Sequence, residues 1–284
     1  MAGLTADDFE YLTEVVQQAR KPWPVHWKPW TLAGYWHPIG LLSPQKAANL
    51  AVALPAHMPL ISDGDHWVWH AAHCTASERS DVLQGIARHL RSTGELRGWR
   101  DETHACWGWR EDAWPYEDPA LFVLERAAFR YFGLRSHASH VHGISENGRM
   151  WCGRRALDKA TDPGMLDNLA AGGLPVDEDP AQCAVREIFE EAGLTCLLQD
   201  LSCHAGEVIT EREEAQGWHS ERIFLYSVLV TDDQQPANRD GEVMDFLCLD
   251  SRDVLRRMRA GEFTHDAACA IAKSTLLGDL SRFT

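Results

Sequence analysis

Glu187, Glu190 and Glu191 fall at spacings i, i+3 and i+4, so a helix over 180–192 collects three carboxylates on one side of a turn. Like charges that close destabilise a helix and raise one another's pKa, so they need a counter-charge. Arg186, next to Glu187 and four residues before Glu190, supplies one. A hard divalent cation held by oxygen atoms would supply more. Such an ion keeps several waters, bridges carboxylates to phosphate oxygens and lowers the pKa of a bound water. Ala181, Ala184, Val185, Ile188 and Ala192 form the apolar face of the same helix. Glu178 precedes it, and Gly193 ends it where a left-handed residue is least costly.

A lone glutamate pair would read as a solvated helix face. Here the pattern is longer: Gly172, five residues, Glu178, seven residues, Arg186-Glu187, apolar Ile188, one residue, Glu190-Glu191, one residue, Gly193 and apolar Leu194. Ordinary residue frequencies put a chance match in this chain below roughly one in a million. Those nine residues match the signature of the Nudix hydrolases without a departure. The resemblance implies an α/β fold, an α/β/α sandwich on a mixed sheet, with the signature as loop-helix-loop. It implies hydrolysis of a diphosphate linkage in a small molecule with Mg²⁺, or Mn²⁺ in its place. Carried over by position, Glu187, Glu190 and Glu191 would be metal ligands and the Gly172 carbonyl a further one. Glu178 would support that site, and Arg186 would orient a catalytic glutamate.

Many members of the family add a glutamate from a later loop. The run 238–243, Asn-Arg-Asp-Gly-Glu-Val, resembles that element, because a tight Asp-Gly turn delivers Glu242 just before a strand. Glu242 would bind metal or act as general base, and Glu187 stays open for the second role. Glu211, Glu213 and Glu214 are rivals in what reads as a polar loop, a solvated charge run.

Residues outside the signature narrow the resemblance. HVHGIS (140–145) and MWCGRRALDKATDPGMLDNLAAGG (150–173) are similar to Nudix domains related to, and sometimes fused with, thiamine pyrophosphokinase. Those domains carry an N-terminal extension, matched here at GLLSP (40–44), GWRDE (98–102) and LERAAFRYFGL (124–134). The resemblance implies thiamine diphosphate, or oxo- and oxythiamine analogues, cut to the monophosphate and phosphate. The alternative is a nucleoside diphosphate derivative: a nucleotide sugar, ADP-ribose or a dinucleotide. An isoprenyl diphosphate isomerase would need a positioned cysteine and extra histidines, and a non-catalytic binding module would typically have lost signature carboxylates. Arg154 and Arg155, at a strand end, are candidates for phosphate oxygens, although alternation points only one of them inward. Met165, Asp167 and Asn168 either line the pocket or belong to a structural loop. His140 and His142 share a strand face and read as structural.

These side chains must be positioned by the rest of the chain. Helices are expected at 5–19, 43–53, 77–93, 119–132, 251–260 and 265–277, from apolar residues at helical spacing and from capping residues. Strands are expected at 66–70, 97–109, 222–230 and 242–250, and a hairpin over 136–155 turns at Asn147-Gly148. A loop is expected between that hairpin and the signature, 156–173. Ten of the twelve tryptophans lie before residue 115, which separates a tryptophan-rich α+β unit (1–118) from the signature-bearing domain (119–284). The tryptophans read as core.

Of the 284 residues, 45% are hydrophobic and 24% charged, as in ordinary globular proteins. A net charge of −15 argues against wrapping nucleic acid, whose phosphates it would repel. Eight cysteines stand singly with no CxxC pair, which disfavours a structural zinc site and fits a reducing cytoplasm. The opening MAGLTADDFEYLTEVVQQAR is polar, so no leader is expected, and no apolar run is long enough for a membrane span. The resemblance implies a small-molecule diphosphate as partner, and a homodimer is compatible.

Overall fold

A computed structural model describes residues 4–159 and 161–280, with the backbone alone at 203–205. The first three residues of the polar N-terminus, Ala160 in the expected loop and the Cys203 thiol therefore lie outside the described residues. The chain begins with α1 (Ala6–Gln17), whose start is closed by a reciprocal cap between Thr5 and Asp8. Then come β1 (Lys28–Leu32), β2 (Pro38–Leu42), α2 (Pro44–Ala53), β3 (Leu60–Asp63), β4 (His66–Trp69) and α3 (Ala76–Ser92). Ser43 and Thr75 cap α2 and α3, each accepting from a backbone N–H of the first turn.

The segment 97–109 forms a strand only at β5 (Thr103–Cys106). The helix expected over 119–132 divides into β6 (Phe122–Glu125) and α4 (Arg126–Phe132). The reason is tertiary. Phe122 and Leu124 alternate into the core beside Trp30 and Trp69 while their backbone pairs with β5, and that pairing overrides helical spacing. Gly133, at φ 65°, ends α4.

The second half contains β7 (Arg135–Ser145), β8 (Met150–Arg155), β9 (Leu166–Asp167), β10 (Ala170–Gly173) and α5 (Pro180–Ala192). It continues through β11 (Ser202–Glu214), β12 (Gly217–Val230), β13 (Val243–Leu249), α6 (Ser251–Arg259) and α7 (His265–Leu277). A mixed sheet runs β11-β12-β7-β8-β13, with β10 added to β7 and β9 to β8; β12 and β7 are parallel. Alternation along β7 sorts its neighbours. Val141 joins the core under α5, whereas His142 donates to Ser274 on α7 (3.0 Å) on the opposite face. The result is an α/β/α sandwich beside a smaller α+β unit.

Packing draws the division between the units differently from a cut at 118/119. β6 and α4 share the core of the tryptophan-rich unit, whereas Leu12 of α1 is buried with Ile144, Met150 and Ile271 of the sandwich. Two further corrections concern loops. Residues 156–173 include β9 and β10, because Ala170–Gly173 can lie close against β7. Glu211, Glu213 and Glu214 are strand residues of β11, and Glu211 is buried against Arg135.

The two units meet on aromatic side chains. Trp107, Trp114 and Tyr116 surround His137 of β7, with ring centroids 5.4, 5.4 and 5.8 Å away, and Phe224 of β12 stacks on it. Arg222 donates to the Tyr116 oxygen (2.7 Å), and the Tyr116 hydroxyl donates to His137 Nε2 (3.1 Å). Burial, reinforced by Arg222 and Arg135, pushes the His137 pKa down to about 3. A histidine depressed in the folded state binds its proton more readily when unfolded, so stability falls as pH drops from the unfolded value toward 3. The expected contribution is a loss of about 2 kcal/mol between pH 7 and pH 5, at ~1.4 kcal/mol per pH unit. Urea unfolding of His137→Gln beside the parent checks this: the variant should show the shallower acid dependence, and parallel curves would refute it.

Candidate active site

α5 forms where its sequence caps it. The Asp179 carboxylate accepts from the N–H groups of Ala181 (2.8 Å) and Gln182 (2.9 Å), the Gln182 side-chain oxygen accepts from the Asp179 N–H (3.0 Å), and Pro180 opens the first turn. Cys183, Ala184, Ile188 and Ala192 are buried against the sheet. That face being turned inward, Arg186, Glu187, Glu190 and Glu191 come round toward β10. Gly193, at φ 66°, ends the helix.

Arg186 is the hub. Its guanidinium donates to Glu178 (2.8 Å), Glu187 (2.6 Å), Glu190 (3.0 Å) and the Gly173 carbonyl (3.3 Å). Glu187 lies flat against Gly172, where an added methyl would meet its Oε1 at 1.8 Å; only glycine leaves that room. The Cys183 thiol lies 3.5 Å from the Gly172 carbonyl. Glu191 reaches the other way. It accepts from the Ala171 N–H (2.9 Å), and its carboxylate meets those of Asp240 and Glu242, with one oxygen of each within 4.8 Å of the others. The loop before β13 is held for this purpose: Asn238 accepts from the Gly241 N–H and Asp240 from the Glu242 N–H. Lys159 forms an ion pair with Glu242, and Arg100 stands 3.6 Å from it.

Burial raises the pKa of Glu191 well above the ordinary carboxylate range; neighbouring Glu187 adds to this and the Ala171 N–H only partly offsets it. Burial also raises Glu187, against the pull of Arg186. Glu242 differs. Burial would raise it, but Lys159, Arg100 and Arg126 outweigh that and hold it low. A buried carboxylate short of positive charge, facing two more carboxylates, is an all-oxygen donor set suited to a hard divalent cation such as Mg²⁺ or Mn²⁺.

Beyond β10, on the sheet face opposite α5, a cavity runs from Gly172 and Gly173 past Ser136 and His140 to Glu221 and Asp266. Arginines ring it: Arg97, Arg100, Arg126 and Arg130 come from the N-terminal unit, and Arg155 and Arg212 from the sandwich. At the far end His219, Glu221 and Asp266 also approach within 4.8 Å of one another, but Arg212 already grips Asp266 at 2.7 and 3.0 Å.

Of the residues singled out by sequence, the structure brings Glu191 and Glu242 together, while Glu178, Glu187 and Glu190 gather on Arg186. Arg155 and Asp167 line the cavity, bonded to each other at 3.0 Å. Arg154, Met165 and Asn168 do not reach it. Arg154 turns to Asp245 and the Gly164 carbonyl, because alternation sends it to the other face. Met165 borders a separate recess with Val15 and Phe263. Asn168 is buried, accepting from His140 (2.8 Å) and donating to His142 (3.2 Å), so all three are structural. Asp240, Lys159, Arg100 and Arg126 were not singled out. Asp240 stood in the recognised loop, but its turn-forming role hid it; the others carry no local signal.

Residues 134–267 match the NUDIX domain model, and residues 37–136 match a domain of unknown function, DUF4743. The chain carries a Nudix domain. It is similar to Nudix hydrolase 24, chloroplastic, of Arabidopsis thaliana, with 34% identity over 197 residues, covering 68% of this chain and 52% of that protein. It is 36% identical to Nudix hydrolase 20, chloroplastic, of the same plant over 172 residues, 60% of this chain and 44% of that one. An uncharacterized protein of Saccharomyces cerevisiae is 27% identical over 210 residues, 67% of this chain and 59% of that one. The chain thus spans about half the length of the curated relatives it matches. Among the described residues, no helix of the Nudix domain or its extension is long and apolar enough to cross a membrane.

Proposed function

We propose that the chain is a Mg²⁺-dependent hydrolase of a diphosphate linkage in a small molecule, with thiamine diphosphate or its oxo- and oxythiamine analogues as substrate. The observation carrying the reading is the meeting of Glu191, Asp240 and Glu242 next to an arginine-lined cavity, whose lining residues Ala171 and Arg100 stand 2.9 Å from Glu191 and 3.6 Å from Glu242. When bound there, the metal supplies charge neutralisation and a water of lowered pKa. The protein's own part is positional. Arg186 keeps Glu187 and Glu190 in place, the thin Gly172-Gly173 strip lets carboxylates and cavity share one wall, and Glu242 can accept the proton of an attacking water once Lys159 swings aside. The cavity's polarity supports the choice of substrate. The guanidinium groups of Arg100 and Arg126 suit a diphosphate, and Glu221, which accepts from the Ser136 hydroxyl (2.8 Å), offers a carboxylate to a cationic, amine-bearing heterocycle.

A product-resolved assay tests both levels. Incubated with Mg²⁺, the protein should convert thiamine diphosphates to monophosphate and phosphate, lose that turnover in EDTA and regain it with excess Mg²⁺. Turnover of ADP-ribose or a dinucleotide far above thiamine diphosphates would replace the substrate and keep the reaction. Absence of metal-dependent cleavage of every diphosphate would refute the enzyme itself.

A further inference from the structure

We propose that the N-terminal unit completes this active site: Arg100 and Arg126 clamp the phosphate oxygens of the substrate from the side facing the carboxylates. The inference rests on the diphosphate reading above and gives a role to the DUF4743 region.

The two glycines of β10 face in opposite directions. A methyl on Gly172 would strike Glu187, whereas one on Gly173 would come within 3.3 Å of the Arg126 guanidinium carbon. A carboxylate and a guanidinium are thus separated by one strand of bare backbone. Arg126, the first residue of α4, is tethered through Nη1 to Glu102 (3.1 Å), which in turn meets His104 (2.7 Å). Among the described residues its Nε and Nη2 have no hydrogen-bond partner, and its side chain is 45% exposed. The Arg100 side chain is similarly open, 49% exposed; its backbone N–H donates to Glu125 (2.9 Å), but its guanidinium stands 3.6 Å from Glu242, beyond hydrogen-bonding distance. Both line the cavity, as do Arg97 and Arg130.

In a chain of net charge −15, Arg97, Arg100 and Arg126 lining one cavity call for an anion, whereas Arg130 is already paired with Glu214 (3.1 Å). Planar guanidinium groups with free donors match phosphate oxygens in pairs. A diphosphate bridged to a metal at Glu191, Asp240 and Glu242 would lie between that ion and these two arginines. The Nudix domain alone lacks this cationic wall.

The test uses the full chain and inorganic pyrophosphate with Mg²⁺ as the probe, measured by calorimetry, beside steady-state hydrolysis of the best diphosphate from the assay above. Arg100→Gln and Arg126→Gln should each weaken pyrophosphate binding about tenfold and raise KM similarly, with kcat less affected; the pair together should lose about a hundredfold. Arg126→Lys should recover only part. Arg91→Gln, whose guanidinium stacks on Trp99 outside the cavity, should change neither quantity. Should Arg126→Gln fold poorly, Arg100→Gln, which gives up only a loose ion pair, still decides. Parent-like pyrophosphate affinity and KM in the Arg100 variant, with the parent active, would overturn the clamp alone. A parent that neither binds pyrophosphate nor cleaves any diphosphate would overturn the underlying reading, and the clamp with it.

Discussion

Glu191→Gln is expected to lower Mg²⁺-dependent diphosphate cleavage on the order of a thousandfold, since a metal's charge stabilisation is worth several kcal/mol and each 1.36 kcal/mol is a decade. The same change should leave the metal-free protein as stable as the parent, or more so. Glutamine has nearly the same shape, and its carbonyl can still accept from the Ala171 N–H. It also removes a buried carboxylate that Glu187 and Asp167 oppose and that Lys159 and the Ala171 N–H offset only in part. Thermal melts give a reading independent of turnover. Mg²⁺ should raise the parent's Tm, because a ligand at a hundred times its Kd adds about 2.7 kcal/mol to the folded state, and should leave the variant's unmoved. Full activity in Glu191→Gln, or an undiminished Mg²⁺ shift, would remove the site from α5.

The second large effect is on stability and concerns the joint behind the sheet. The Arg135 side chain has no exposed surface. It donates to Glu211 (2.7 Å), Ser220 (3.0 Å) and the Arg110 carbonyl (3.1 Å), linking β7 to β11 across β12. Glu211 also receives Arg20 (2.9 Å), while its backbone pairs with Ala19 and Lys21. Arg135→Met would strand a buried carboxylate, and breaking such a pair from one side costs about 3–5 kcal/mol. Arg20 still faces Glu211, so the lower figure is expected, read as a fall in the urea midpoint. Adding Glu211→Leu should restore much of the loss, because two apolar side chains can replace a buried pair at little net cost. A double variant as unstable as the sum of the single ones would show that the pair is not coupled.

The carboxylate cluster and that joint were legible to different degrees. Glu187, Glu190 and Glu191 were readable because helix spacing alone places them on one turn, and Asp179, Pro180 and Gly193 announce both ends of α5. Glu242 was readable from its Asp-Gly turn. Glu211 was misread as a surface charge. Its burial depends on Arg135, which is 76 residues away in sequence.

What the sequence determined by itself, then, was the local machinery: capped helices, the Asn147-Gly148 hairpin, and a carboxylate-rich turn. Each rests on interactions among residues a few positions apart, whose geometry the backbone dictates. Tertiary structure alone decided that Glu191 turns from Arg186 toward Asp240 and Glu242, that β6 is a strand, and that Arg100 and Arg126 from another unit face the Nudix carboxylates. Those outcomes depend on which surfaces bury against which. Burial is non-directional, and no spacing within a single segment encodes its partner.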